Sequence, residues 1–191
     1  MLKDQVLQAA LTVLRRSGLD RWTTAAVARE AGCAKGLVHY HYHDKETLLA
    51  AAARALTSER SEARLAAFAA TGTAALDALW RALSEEVASG GSAARLGLAG
   101  HSSAVVRRGT RPAEDYFARL DRAVAASLDL ASPSPSPSPS ASPSPAPTPA
   151  PPAGLMRAVD ATLDGLELSL VRGDAEDAVH EAFHRIWLTV I

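Results

Sequence analysis

The distribution of proline constrains this chain more than any other feature of its sequence. Ten of its eleven prolines fall between Ser132 and Pro152, in an alternating Ser/Pro/Ala stretch, and the eleventh is Pro112. Proline lacks an amide donor and fixes φ, so residues 132–152 cannot form helix or inner strand. They read as a solvated, polyproline-like linker that spans roughly 65 Å when fully extended. A docking site for proline-recognising partners is not supported, because no basic or aromatic flank adjoins it. Everywhere else the backbone is free to form long helices. Hydrophobic residues make up 48% of the 191 positions, aromatics 5%, and β-branched residues never alternate, so an all-α fold is expected.

Apolar residues recur at helical spacing in several stretches. Val6, Leu7, Ala10, Leu11 and Leu14 form a stripe that ends at Gly18, in the manner of a glycine C-cap. A long helix opens with Asp44 as its N-cap and runs through Leu48, Leu49, Ala52 and Leu56 to about Phe68. Further helices carry Leu76, Leu79, Trp80, Leu83 and Val87, and then Tyr116, Phe117, Leu120, Val124 and Leu128, with a less distinct one within Ser92–Arg107. After the linker come two more. One bears Leu155, Val159, Leu163, Leu166 and Leu170, and the other Val179, Ala182, Phe183, Ile186, Trp187 and Val190, with Gly173 between them and Asp174 as a cap. This tail is too small to enclose a core alone. Two helices with wide apolar faces form a natural half of a four-helix bundle, so a homodimer is expected, with Leu163, Leu166, Leu170, Val179, Phe183, Ile186 and Trp187 at the contact.

Net charge is −1, but residues 1–46 hold seven Lys/Arg against five acids and the remainder is acidic. A slightly basic unit on an acidic body suits a protein that meets phosphates at one end. The single cysteine, Cys33, precludes an internal disulfide, no apolar run reaches the length of a membrane span, and the N-terminus lacks the pattern of a signal peptide. These features lead to the expectation of a cytoplasmic protein without membrane attachment.

The stretch Thr23–Tyr42, TTAAVAREAGCAKGLVHYHY, has the spacing of a helix-turn-helix. Thr23 can cap a short helix through Ala31, and Gly32 stands where the chain must turn, often with positive φ. Ala28 is small where the two helices approach, and Val27, Ala31, Cys33 and Val38 supply apolar contacts. The second helix, Lys35 to Tyr42, then turns outward a face of Lys35, Leu37, Tyr40 and His41 beside Gly36. Lysine at a helix N-terminus adds to the charge of the free amides, Gly36 admits a sugar-phosphate backbone, and Leu37 can touch a thymine methyl in the major groove. Tyr40, His41 and Lys45 can donate to phosphate oxygens. Thr23, Thr24 and His39 complete the candidate DNA-facing set.

The run from Thr23 through AKGLVHYHYHDKETLL resembles the DNA-binding region of the tetracycline-repressor (TetR) family. The matching positions are Thr23, Ala28, Ala31-Gly32, Lys35-Gly36, Tyr40-His41-Tyr42 and Lys45-Glu46, and they cover roughly the first quarter of the chain. The family's usual Ser or Thr is replaced by Ala34, its usual Tyr by His39 and its usual Phe by Tyr42. The resemblance implies a three-helix DNA-binding domain (residues 1–46) on a helical ligand-binding and dimerisation domain (residues 47–191). It further implies a homodimeric repressor that binds a palindromic double-stranded DNA operator and responds to a small-molecule effector. The pattern Asp164-Gly165-Leu166-Glu167 resembles the first of the family's two dimerisation helices.

Other readings are open at this point. His39, His41 and His43 form an H-x-H-x-H run, and imidazole binds zinc, copper and nickel. On a helix, however, only His39 and His43 share a face, and no metal or cofactor is expected. His101 with Ser102 and Ser103, or the Glu85-Glu86 pair, are the candidate groups of an enzyme, but no Gly-x-Ser-x-Gly elbow, phosphate loop, dinucleotide fingerprint or metalloprotease motif occurs, so no enzyme is expected. A helical interaction module without a DNA role would leave the outward Lys-Gly-Leu face without a structural reason. Trp80, Tyr116, Phe117 and His101 are aromatic candidates for a pocket lining that serve equally well as core or surface.

Overall fold

The computed structural model describes residues 2–129 and 154–190, all of whose regular structure is helical. The Ser/Pro-rich linker expected at 132–152 lies outside the described residues. The helices are α1 (Leu2–Ser17), α2 (Thr24–Glu30), α3 (Lys35–Tyr42), α4 (Lys45–Ala67), α5 (Thr73–Ala88), α6 (Gly91–Ala99), α7 (Ala104–Gly109), α8 (Tyr116–Asp129), α9 (Leu155–Arg172) and α10 (Glu176–Val190). The indistinct helical region expected within Ser92–Arg107 is two short helices, α6 and α7, and α8 begins four residues after Pro112.

Local chemistry explains most helix ends. Gly18, at φ +70°, closes α1 by donating from its amide to the Leu14 carbonyl at 2.9 Å. The Asp44 carboxylate accepts from the Thr47 amide at 2.6 Å and starts α4. Gly173, at φ +89°, ends α9, and its amide donates to the Leu170 carbonyl at 3.0 Å.

The apolar faces meet in two clusters that share α4 as their common wall. The first joins Val6, Ala10, Leu11 and Leu14 of α1 to Val27, Val38 and Tyr42 of α2 and α3, and to Leu48, Leu49, Ala52 and Leu56 of α4. It extends to Ala94 and Leu98 of α6 and Val106 of α7. The division anticipated at residue 46 therefore falls inside α4, whose first half belongs to the N-terminal core. Gly109 of α7 allows the closest approach to that helix, since a Cβ there would lie 2.8 Å from the Ala50 carbonyl oxygen and from the Ala53 Cβ.

The second cluster holds Leu79 and Leu83 of α5, Tyr116 and Leu120 of α8, Val159 and Leu163 of α9, and Phe183 and Trp187 of α10. Leu163, Leu166, Val179, Phe183 and Trp187 are buried within a single chain, and Leu170 and Ile186 pack at the edge of the same cluster. Within the chain Phe183 lies against Trp80 of α5 and Trp187 against Phe68 at the end of α4.

Between the two clusters α4 carries a polar layer: Thr57, Arg60, Ser61 and Arg64 are all buried. Arg60, Arg64 and Arg95 (α6) meet Asp160, Asp164 and Glu167, which stand at positions i, i+4 and i+7 of α9. Arg60 reaches Asp160 at 3.2 Å and pairs with Asp164; Arg64 pairs with Asp160 and Glu167 and reaches Asp164 at 3.1 Å; Arg95 reaches Glu167 at 2.6 Å. The Tyr116 hydroxyl donates to Asp160 at 2.9 Å and the Ser92 hydroxyl to Glu167 at 3.0 Å. Burial alone would raise the Asp160 and Glu167 pKa values, but the adjacent guanidiniums, Arg64 first, outweigh it and hold both below the ordinary carboxylate range.

Removing Arg64 leaves the buried carboxylates of Asp160 and Glu167 with one guanidinium each in place of two. Arg64→Met should therefore lower the free energy of unfolding by about 3–5 kcal/mol, read from urea unfolding followed by circular dichroism. A loss under about 1 kcal/mol, the value of an exposed ion pair, would show that the network is dispensable.

Candidate nucleic-acid interface

The N-terminal unit is built to hold α3 on the outside of a rigid frame. The Thr23 hydroxyl accepts from the Ala26 amide at 3.0 Å, which caps α2. Gly32 turns the chain at φ +62°, and the Cys33 amide donates to the Ala28 carbonyl at 2.9 Å across the turn. On α3 only Val38 and Tyr42 point inward, four residues apart on one face. The Tyr42 hydroxyl donates to the Lys3 carbonyl at 3.2 Å and so ties α3 to α1. Ala34 caps α3 with no side-chain hydrogen bond, as its lack of a hydroxyl requires.

Two features of this frame lie outside the sequence reasoning. Trp22 is buried, donates from its indole Nε1 to the Ala10 carbonyl at 3.1 Å, and lies under Lys45, whose Nζ is 5.7 Å from the ring centroid. A tryptophan just before a capping threonine is the signal that would have found it. The second is His43, between α3 and α4, at φ +56° and ψ −54°. It is the centre of a γ-turn closed by the Asp44 amide donating to the Tyr42 carbonyl at 2.5 Å, a strained geometry for a residue with a Cβ. This turn sets the direction in which α4 leaves the recognition unit.

Opposite the buried face, Lys35, Gly36, Leu37, His39 and Tyr40 are exposed, with Tyr40 at 75%, and His41 is half-buried with its ring edge-on to Tyr40 at 5.1 Å. Lys45 is exposed at the start of α4, Thr23 is exposed and Thr24 half-buried at the start of α2. The nine candidate residues are thus spread over three successive helix starts and one helix face. His39, His41 and His43 do not converge, and the His39 Nδ1 lies 3.3 Å from the His43 carbonyl oxygen. Among the described residues no three His, Cys, Asp or Glu side chains gather into a metal-binding group. His101 and Ser103 are tied locally: the Ser103 amide donates to His101 Nδ1 at 3.0 Å, and the Ser103 hydroxyl donates to Glu46 at 2.7 Å. Of the pocket candidates, Tyr116 belongs to the ionic layer, Phe117 lies beneath Arg157 at 4.3 Å, and Trp80 stacks on His180.

A capped short helix, a glycine turn and a second helix with one face outward define a helix-turn-helix protein. Residues 6–59 match the family described as bacterial regulatory proteins, tetR family. Over 52 residues the chain is 38% identical to the HTH-type transcriptional regulator BetI of Proteus mirabilis (strain HI4320), a match that spans 27% of this chain and 26% of that protein. Two solved structures are similar over nearly the whole length. One is the multidrug binding protein EbrR complexed with ethidium (TM-score 0.62, 20% identity, 97% of this chain and 98% of the other). The other is described as a TetR-family transcriptional regulator from Rhodococcus sp. (TM-score 0.66, 19% identity, 98% and 97%). Residues 6–59 thus carry a helix-turn-helix domain similar to that of the tetR family of bacterial regulatory proteins, and the ten helices among the described residues follow the fold of those structures.

If the γ-turn is strained by the His43 Cβ, His43→Gly should stabilise the protein by about 1 kcal/mol, visible as a thermal midpoint a few degrees higher by calorimetry. A lower midpoint would mean that the imidazole contributes more than its backbone costs.

Proposed function

We propose that this protein is a sequence-specific DNA-binding transcriptional regulator, a repressor that holds a palindromic operator as a homodimer and releases it when a small molecule binds. The observation that carries the DNA reading is the outward face of α3. Lys35, Leu37 and Tyr40 are presented to solvent by a frame that buries only Val38 and Tyr42. Gly36 supports it independently. Its backbone is helical and a Cβ there would meet nothing within 4 Å, so neither dihedral strain nor packing in the chain accounts for a residue that costs a helix about 1 kcal/mol relative to alanine. Close approach by an external backbone does account for it.

In this reading α3 enters the major groove with Leu37 at a base edge, while Lys35 at its N-terminus meets a phosphate. Tyr40, His41, His39 and Lys45 meet phosphates, and Thr23 and Thr24 meet the phosphates beside the start of α2. A cation–π contact with the Trp22 ring fixes Lys45 at the start of α4. Among the described residues no helix is long and apolar enough to cross a membrane, which agrees with a protein that works on DNA. A small-molecule effector is supported by the likeness to a multidrug binding protein complexed with ethidium. Helix α4 is the lever, since it is shared by both cores, and a ligand that rearranged the second core would re-aim the first.

For the homodimer, the outer surface of α9 joins the residues of α9 and α10 named from the sequence. Ala158, Ala161 and Gly165 are exposed along one side of it, and a Cβ on Gly165 would meet nothing within 4 Å. Small side chains there let a second helix approach closely.

Lys35→Ala should weaken binding to the chain's own promoter DNA, and the slope of log affinity against log salt should become shallower by about one unit for one lost phosphate contact. An unchanged slope refutes the role of Lys35. Gly165→Arg has room within one chain, so it should leave the helical circular-dichroism signal intact while sedimentation equilibrium reports a monomer. A dimer that survives this substitution places the interface elsewhere.

A further inference from the structure

We propose that His180 and His184 on α10 form a two-imidazole site for a divalent transition-metal ion of the copper, nickel and zinc group. The two residues are one helical turn apart, both half-buried, and their Nε2 atoms stand 3.0 Å from one another. Metal–imidazole bonds of about 2.0–2.1 Å place two adjacent ligand nitrogens about 3 Å apart, so the pair is already spaced as a chelate. Loading requires a tautomer change and a turn of the two rings that aims both Nε2 atoms at one point. The imidazole that now donates its Nε2 proton to the other takes the tautomer protonated at Nδ1, which frees both Nε2 lone pairs with no net gain or loss of protons.

The surroundings hold the rings in place. His180 is stacked on Trp80 of α5 at 4.3 Å between ring centroids and 25° between planes. His184 lies edge-on to Phe183 at 5.6 Å. Fixed rings lower the entropy lost on binding, which a solvent-exposed pair of histidines would have to supply. The other pair at this spacing, His39 and His43, is exposed, and the His39 Nδ1 faces the His43 carbonyl instead of a second ring nitrogen. Convergence of ring nitrogens is thus a property of the α10 pair. With no third protein ligand gathered nearby among the described residues, water completes the coordination shell. Copper(II), the tightest binder of nitrogen ligands in the divalent series, is the fitting probe. The site does not depend on the DNA-binding reading.

Trp80 serves as a built-in reporter, because copper(II) bound at His180 would sit beside a stacked indole. The experiment uses the full chain without an affinity tag, carrying His39→Asn, His41→Asn and His43→Asn, and titrates it with copper(II) chloride while tryptophan emission is followed. Saturable quenching at one equivalent is expected, most of it removed by Trp80→Phe, with the midpoint at least tenfold weaker in His184→Gln and in His180→Gln. Each variant is checked by circular dichroism for an unchanged helical signal, and the two glutamine variants stand in for one another if either unfolds. Zinc chloride should raise the thermal midpoint of the parent and leave the glutamine variants unmoved. Quenching curves that superimpose for the parent and the folded glutamine variants, or the absence of saturable quenching in the parent, overturn the proposal.

Discussion

Three guanidiniums and two carboxylates buried where α4 crosses α9, with the half-buried Asp164 at their edge, are the constraint on which the remaining architecture rests. Charges removed from water are tolerated only when each finds partners of good geometry. A slip of α9 along α4 by one turn would leave at least one of Arg60, Arg64, Asp160 and Glu167 buried and alone. An apolar face alone would not resist such a slip, because leucine packs nearly as well one turn along. Arg95 and Ser92 bring α6 into the same network and the Tyr116 hydroxyl brings in α8, so four helices take their register from one polar layer.

That layer also divides the molecule into two parts without breaking its continuity. Above it, α4 completes the core of the three-helix unit. Below it, the same helix leads to the cluster of α5, α8, α9 and α10. The two ends are joined by a helix whose central turns are held by ion pairs in place of adaptable apolar contacts. The γ-turn at His43 joins this helix to α3, and the close contact at Gly109 joins it to α7. The surface presented by α3 has no task inside the chain, which is what a surface for another molecule requires.

How much of this could be read in advance differs between the two halves. The capping roles of Thr23 and Asp44, the turn at Gly32 and the bounds of α3 follow from contacts within four residues of one another, so local sequence contains them. The acids at 160, 164 and 167 and the arginines at 60 and 64 each sit at helical spacing and were legible as two charged stripes. Nothing local says that they are buried, since the stripes lie about a hundred residues apart and either would be a solvated face alone. The histidines of α10 pose the same problem, because their pairing is local but the indole that fixes one of them belongs to α5.

By itself the sequence determined which segments are helices, where most of them begin and end, and that one short helix turns a polar face away from its neighbours. Only tertiary structure decided what each apolar face is covered by. Phe183 and Trp187 illustrate the difference: helical periodicity shows that they share a buried face, but the same periodicity suits a partner chain and a neighbouring helix equally. Within the chain Phe183 meets Trp80 of α5 and Trp187 meets Phe68 at the end of α4, contacts between residues about a hundred positions apart that the periodicity of α10 does not contain.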